Sequence, residues 1–142
     1  MEPVTLLINS CGGSVSDGFF LAYYLSNYSK PLNIIITGYA ASMAAVILAG
    51  TGNNKNITRY CYPSSYALIH DGYIAISASE TRTASDMMAF NEKTDKRIRQ
   101  FMLDHTKITA EEYDAQARHQ WFLDAEEMRE KGLIDKIYGV DD

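Results

Sequence analysis

A single serine, Ser42, interrupts the small and apolar stretch "GYAASMAA" at residues 38–45. The run before it is β-like and the run after it is helix-like, so Ser42 stands at a predicted strand-to-helix turn. A hydroxyl in this place is a helix N-cap, a satisfied core group or a nucleophile. The nucleophile hypothesis requires a base, and backbone N–H groups that receive the oxyanion formed on an attacked carbonyl.

The chain offers candidates for each of these partners. The N–H of Met43 lies at the start of the predicted helix, where donors are unsatisfied and the helix dipole favours negative charge. The Gly12-Gly13 turn follows a strand-like run, and glycine lets backbone N–H groups approach a ligand closely. Of the three histidines, only His70 ends a strand-like run, the usual place for a functional group in an open α/β sheet.

The elements that must position these residues alternate along the chain. Strands are predicted at 5–9, 32–37, 66–70 and 73–78 and in "LIDKIY", with a tight turn at 10–13 and a loop at "GTGNNKN". Helices are predicted at about 16–27 with Ser14 or Ser16 as N-cap, from Ser42, over about 80–105, from Thr109, and from Asp124 to Gly132. This alternation favours an α/β domain with parallel strand pairs.

Composition narrows the functional class. The 142 residues, 46% of them hydrophobic, suit one domain with a single core. A net charge of −5 without a basic run argues against nucleic-acid binding. Cys11 and Cys61 fit neither a metal-ligand spacing nor a disulfide framework, so we expect reduced thiols, no metal and a cytoplasmic location. The uncharged stretch 32–50 changes from β-branched residues to helix formers midway, which favours a strand and a buried helix over a membrane span.

In this order the motifs resemble those of the proteolytic subunit of the Clp protease, a serine peptidase of the crotonase-like fold. "LLINSCGGSVSDGFFLAYYL" resembles the family's strand, Gly-Gly turn and helix, with Cys11 where proline is usual. "ITGYAASMAAVILAG" resembles its nucleophile segment, "CYPSSYALIH" its histidine strand and "WFLDAEEMREKGLIDKIY" its C-terminal signature. The resemblance covers essentially the whole chain and lacks only the family's N-terminal portion.

The resemblance implies a single domain over 1–142, built as a crotonase-like spiral of repeated β-β-α units with a long protruding handle helix at about 80–105. In the family this helix interleaves two seven-membered rings. We therefore expect the apolar face of this helix to be buried between subunits; it comprises Met87, Met88, Phe90, Phe101 and Met102. The segment "GYIAISA" would pair with substrate backbone by β-addition.

Carried over by matching motif, Ser42 is the nucleophile, His70 the general base, and the N–H groups of Gly13 and Met43 the oxyanion hole. The chain departs from the family at the triad aspartate, whose position holds Gln120. A neutral amide can orient the imidazole but does little to stabilise the imidazolium. A shifted carboxylate is the alternative, and the sequence offers Asp71, Asp114 and Asp124.

Three functions follow from these residues. The first is a serine endopeptidase that hydrolyses unfolded polypeptides inside a homo-oligomeric chamber, a heptameric ring or double ring, fed by a separate AAA+ ATPase unfoldase and without cofactor, membrane or nucleic acid. The second is a catalytically weak or inactive subunit that assembles with an active paralogue, which Gln120 favours. The third is a crotonase-fold acyl-CoA enzyme, which shares the Gly-Gly oxyanion turn but would need a carboxylate pair that is not evident.

Overall fold

The computed structural model describes residues 1–71 and 81–141. The strands are β1 Val4–Ser10, β2 Leu32–Ala41, β3 Ile57–Cys61, β4 Tyr66–Ile69, β5 Trp121–Leu123 and β6 Lys136–Ile137. The helices are α1 Val15–Ser26, α2 Met43–Gly50, α3 Thr81–His105, α4 Ala110–Gln116 and α5 Ala125–Glu130. The predicted strand at 73–78 lies outside the described residues.

The sheet is organised around β2. Its first half pairs with β3 and its last residues pair with β4, while β1 lies along its other side. All of these pairs are parallel, as is β3 with β6, and only β4 and β5 run antiparallel. The α1 and α2 crossovers connect parallel strands, so the predicted α/β class is confirmed.

The core lies between the sheet and helix α2. Leu32, Ile34 and Ile36 alternate into it from β2, and every residue of α2 except Ile47 is buried. A helix that is apolar on all sides must be covered on all sides, and α2 is packed between the sheet, α1 and α3. The uncharged stretch 32–50 is therefore a strand and a buried helix, as predicted, and within the described ranges no helix is both long and apolar enough to cross a bilayer.

Helix α3 confirms the predicted long helix, but its apolar residues divide into two groups. Near its start, Met87, Met88 and Phe90 are 37%, 57% and 65% exposed. Near its end, Phe101 and Met102 are buried in the chain's own core, where Phe101 meets the ring of Phe19 edge-on at 5.4 Å. The expectation that these last two lie between subunits was wrong, because α2 covers them within the same chain.

The helix starts follow the predicted capping residues. Ser14 caps α1 by accepting the N–H of Asp17 at 3.3 Å. Thr109 caps α4 in a capping box with Glu112, and Asp124 caps α5 in a second one with Glu127. All three capping residues have negative φ.

Strand β3 was missed by the sequence patterns, and β6 is shorter than "LIDKIY" predicts. The inward face of β3 carries a charged residue, Arg59, between Ile57 and Cys61, which hides its apolar alternation. The Arg59 guanidinium is satisfied by the Asp135 carboxylate at 2.9 Å and by the carbonyls of Leu48 and Gly132. A buried cation with these partners is tolerated inside the fold.

Candidate active site

Ser42 links β2 directly to α2 in an unusual backbone conformation. Its φ and ψ are 57° and −123°, and it is the only non-glycine residue with positive φ among those described. Its N–H donates to Leu68 O of β4 at 2.8 Å, and its carbonyl accepts the N–H of Ala45 at 3.0 Å. The Ser42 side chain makes no capping hydrogen bond, so the N-cap interpretation fails and the hydroxyl is not used by the helix.

The Gly12-Gly13 turn lies against the Ser42 turn. A Cβ at Gly12 would sit 2.7 Å from the Ala41 carbonyl oxygen and 2.9 Å from the Met43 nitrogen. The φ of Gly12 is also +90°, so this position requires glycine for both space and conformation. Gly13, at φ +144°, has no neighbour within 4 Å of such a Cβ and faces open space.

Two backbone donors border a cleft of about 720 Å³. Gly13, Ser42, Met43 and His70 all line it. Within residues 1–71 and 81–141, neither the Gly13 N–H nor the Met43 N–H donates to a protein acceptor. Met43 begins α2, so its N–H carries the favourable end of the helix dipole. The arrangement offers two donors to a developing negative charge beside a serine.

His70 reaches this cleft because of the way β4 pairs with β2. Ala41 pairs with Leu68, and the Ser42 N–H extends that ladder by its bond to the Leu68 carbonyl. His70 follows two residues later, just beyond the end of β4. The half-buried imidazole therefore lines the cleft together with Ser42.

Gln120 directly precedes β5. β5 runs antiparallel to β4 with Ile69 opposite Trp121, so one further step of that register places Gln120 across from His70. The Gln120 side chain is exposed, however, and in the described part of the chain it is not among the residues that line the cleft. Its role as a third catalytic member stays a prediction.

Known proteins of one family match the chain throughout. Residues 1–141 match the family described as Clp protease. The chain belongs to the Clp protease family. It is 31% identical over 142 residues to the "ATP-dependent Clp protease proteolytic subunit 1" of Shouchella clausii, covering 98% of this chain and 70% of that protein.

Two further relatives carry similar names. The "ATP-dependent Clp protease proteolytic subunit 1" of Salinibacter ruber is 30% identical over 96% of this chain and 57% of its own length. The "ATP-dependent Clp protease proteolytic subunit" of Cyanophora paradoxa is 32% identical over 96% of this chain and 69% of its own length. The predicted resemblance, the fold class and the serine peptidase class are thereby confirmed.

Two of the three alternative carboxylates for a Clp protease triad are engaged elsewhere. Asp114 forms an ion pair with Arg99 at 2.7 Å, and this hydrogen bond holds the pKa of the Asp114 carboxyl below its usual value. Asp124 caps α5. Asp71 follows His70 directly, and its N–H donates to the Ala117 carbonyl at 2.8 Å.

The structure also brings residues to this Clp protease cleft that the sequence analysis did not single out. Asn91, Thr94 and Asp95 of α3 line it beside Ser42 and His70. No motif marks these residues, because they are half-buried polar positions of a charged helix and join the cleft only where α3 packs on α2. The positions of these residues in the cleft depend on how α3 packs on α2, and their spacing along the chain does not predict it.

Proposed function

We propose that this chain is a serine endopeptidase subunit with Ser42 as nucleophile, His70 as general base and the N–H groups of Gly13 and Met43 as the oxyanion hole. Its substrates are unfolded polypeptides, which reach it in the cytoplasm inside a ring-shaped homo-oligomer served by a separate AAA+ ATPase. The observation that carries the proposal is the conformation of Ser42, whose side chain does not cap α2 and which lines a cleft together with two backbone N–H groups that have no acceptor among the described residues.

The reaction follows from that geometry. As the Ser42 Oγ bonds to the substrate carbonyl carbon, His70 takes the hydroxyl proton, and the two N–H groups receive the negative charge on the carbonyl oxygen. Collapse of the intermediate breaks the C–N bond, and His70 returns the proton to the leaving amine. A water molecule then hydrolyses the acyl-serine ester by the same route.

A serine-reactive fluorophosphonate probe and a fluorogenic peptide test this assignment. Wild type should be labelled and should hydrolyse the peptide, whereas Ser42→Ala should do neither while keeping its oligomer size. Ser29→Ala is the matched control, because Ser29 is exposed and does not line the cleft. Hydrolysis by Ser42→Ala at the wild-type rate would remove Ser42 from the mechanism.

The ring assembly is supported by the exposed apolar residues at the start of α3. Met88 and Phe90 are more than half exposed, and a second subunit would cover them. Met88→Glu should split the assembly without unfolding the subunit, as measured by sedimentation velocity. Lys96→Glu changes charge on an exposed residue of the same helix and should leave the assembly intact. A wild type that sediments as a stable monomer contradicts the handle assignment.

A catalytically weak subunit paired with an active paralogue is the second candidate, and the neutral, exposed Gln120 favours it. If Gln120 holds the third position, Gln120→Asp should raise the hydrolysis rate about tenfold or more by supplying the negative charge that stabilises the imidazolium. Gln120→Glu is the length-matched control. If wild type and both variants lack activity and wild type purifies with a paralogue, the second candidate is the better one.

A further inference from the structure

Tyr113 of α4 places its hydroxyl in the core of the subunit. The residue is only 1% exposed, and among the described residues its hydroxyl oxygen is one of two buried side-chain polar atoms that make no hydrogen bond. Buried polar groups in native proteins are nearly always paired, because an unpaired one loses its bonds to water without compensation. An unpaired hydroxyl at this position therefore calls for a functional explanation.

The surroundings of Tyr113 connect it to the proposed catalytic pair. It lines a small cavity of about 30 Å³ whose walls also include Ser42, His70, Ile98 and Met102. The apolar walls offer the Tyr113 hydroxyl nothing to bind, whereas the Ser42 hydroxyl and the His70 imidazole do. A cavity of this size has space for about one water molecule, which needs at least roughly 10–15 Å³.

The charges near Tyr113 favour a neutral hydroxyl. Burial, above all, raises the pKa of Tyr113 to about 12; the negative charges of Asp71, Asp95 and Asp114 act in the same direction, and the positive charge of Arg99 opposes them. Asp95 also lines the main cleft with Ser42 and His70. The Tyr113 hydroxyl thus stays protonated at the pH of peptide hydrolysis, in the field of these carboxylates beside the general base.

We propose that Tyr113 is a positioning residue for His70, and that one water molecule in this cavity bridges the Tyr113 hydroxyl and the His70 imidazole. The proposal rests on the proposed function. It gives the orienting role to a buried hydroxyl, because the exposed Gln120 side chain does not line the cleft in the described part of the chain. Nearby carboxylates supply negative charge while Tyr113 itself remains neutral.

Removal of the hydroxyl tests the proposal. Tyr113→Phe and Tyr113→Met both keep an apolar side chain in the core. The change that they share is the loss of the hydroxyl. Both should lower kcat about tenfold and slow fluorophosphonate labelling of Ser42 by a similar factor, with KM within about twofold of wild type. Their melting temperatures should fall by only a few degrees, because one hydrogen bond contributes little net stability.

Tyr138→Phe is the matched control, since Tyr138 is exposed and lies on neither cavity; it should hydrolyse as wild type does. Gln120→Ala should lose less than about threefold in kcat. The proposal is overturned if either folded Tyr113 variant keeps the wild-type kcat, or if Gln120→Ala loses tenfold while Tyr113→Phe loses nothing. A wild type that is not labelled at Ser42 overturns the proposed function itself, so the two failures are distinguishable.

Discussion

Two strand-to-helix junctions in this molecule, at Asp124 and at Ser42, differ in backbone conformation and in whether the polar side chain caps the helix. At Asp124, between β5 and α5, the backbone is extended with φ −74°, and the side chain accepts the Glu127 N–H at 2.9 Å. At Ser42, between β2 and α2, φ is 57° and the side chain caps nothing. The Asp124 junction uses its polar group to cap the helix, whereas the Ser42 hydroxyl makes no capping bond to α2 and belongs to the proposed nucleophile.

The positive φ of Ser42 has an energetic cost that the Asp124 junction does not have. A non-glycine residue held in a sparsely populated region of φ and ψ costs about 1–3 kcal/mol, and it persists only where its surroundings enforce it. Around Ser42 these are the Leu68 carbonyl, the close approach of Gly12 and the buried first turn of α2. Helix α5 instead begins with a capping box at a residue of ordinary negative φ.

The largest effect should come from closing the space beside Ser42. Gly12→Ala adds a methyl group that meets the Ala41 oxygen and the Met43 nitrogen, both of them backbone atoms, within 3 Å. Displacement of the turn should lower kcat/KM for peptide hydrolysis by roughly a hundredfold or more.

The control for Gly12→Ala is Gly139→Ala. Gly139 has a similar φ of +79°, but nothing lies within 4 Å of an added Cβ. This variant should lose stability with its activity per folded subunit unchanged. Equal losses of activity in both variants would mean that strained φ alone, and not contact with the Ser42 turn, explains the effect.

A second test measures the strain at Ser42 itself. Both Ser42→Ala and Ser42→Gly lack the hydroxyl, but only glycine adopts a positive φ without steric cost. Ser42→Gly should exceed Ser42→Ala in free energy of unfolding by about 1 kcal/mol, after the greater entropy of unfolded glycine is subtracted. Urea denaturation measures this difference in free energy of unfolding. A Ser42→Gly variant less stable than Ser42→Ala, after the same entropy correction, would contradict backbone strain at this junction.

Substitution at the Asp124 junction should lower stability and leave activity unchanged. Asp124→Ala removes a capping side chain and should lower the free energy of unfolding by about 1 kcal/mol, while activity per folded subunit is retained. Asp124→Ser keeps a capping oxygen and should recover most of the loss. Ser42→Ala, which removes no cap, should change stability by less than Asp124→Ala does; the opposite ranking would erase the contrast between the junctions.

The smallest effect concerns the other capping box, at the start of α4. The hydrogen bond from Lys131 holds the pKa of the Glu112 carboxyl below its usual 4.5. A depressed folded-state pKa stabilises the fold above the unfolded pKa, and this contribution is lost as the pH falls through the folded pKa. The stability difference between wild type and Glu112→Gln should therefore shrink on acidification below about pH 4.5, by a few tenths of a kcal/mol in total.

Chemical denaturation at several pH values measures this difference. If the difference in free energy of unfolding between wild type and Glu112→Gln does not change with pH, the charge of Glu112 contributes nothing and only its capping hydrogen bonds matter. Lys131→Met removes the partner cation and should produce the same loss of pH dependence.

The described residues divide into those that local patterns predict and those that they do not. The apolar alternation in "LNIIIT" predicts β2, and the capping residues predict three helix starts, because these signals depend only on neighbours along the chain. β3 escapes prediction because the partners of its buried Arg59 are Asp135 and the carbonyls of Leu48 and Gly132, all of them distant in sequence. The apolar side chains of α3 predict a covered surface but not which half is covered within the subunit.

At the site, residue types and spacing predict a serine at a strand-to-helix turn, a Gly-Gly turn and a strand-end histidine, since each is a local feature of the chain. Three further features appear only in the folded chain: Gly12 touches the Ser42 turn, the Ser42 hydroxyl caps no helix, and Asp95 and Tyr113 approach from α3 and α4. The physical reason is that positive φ, burial and cavity shape are imposed by packing between distant segments, which no local pattern contains.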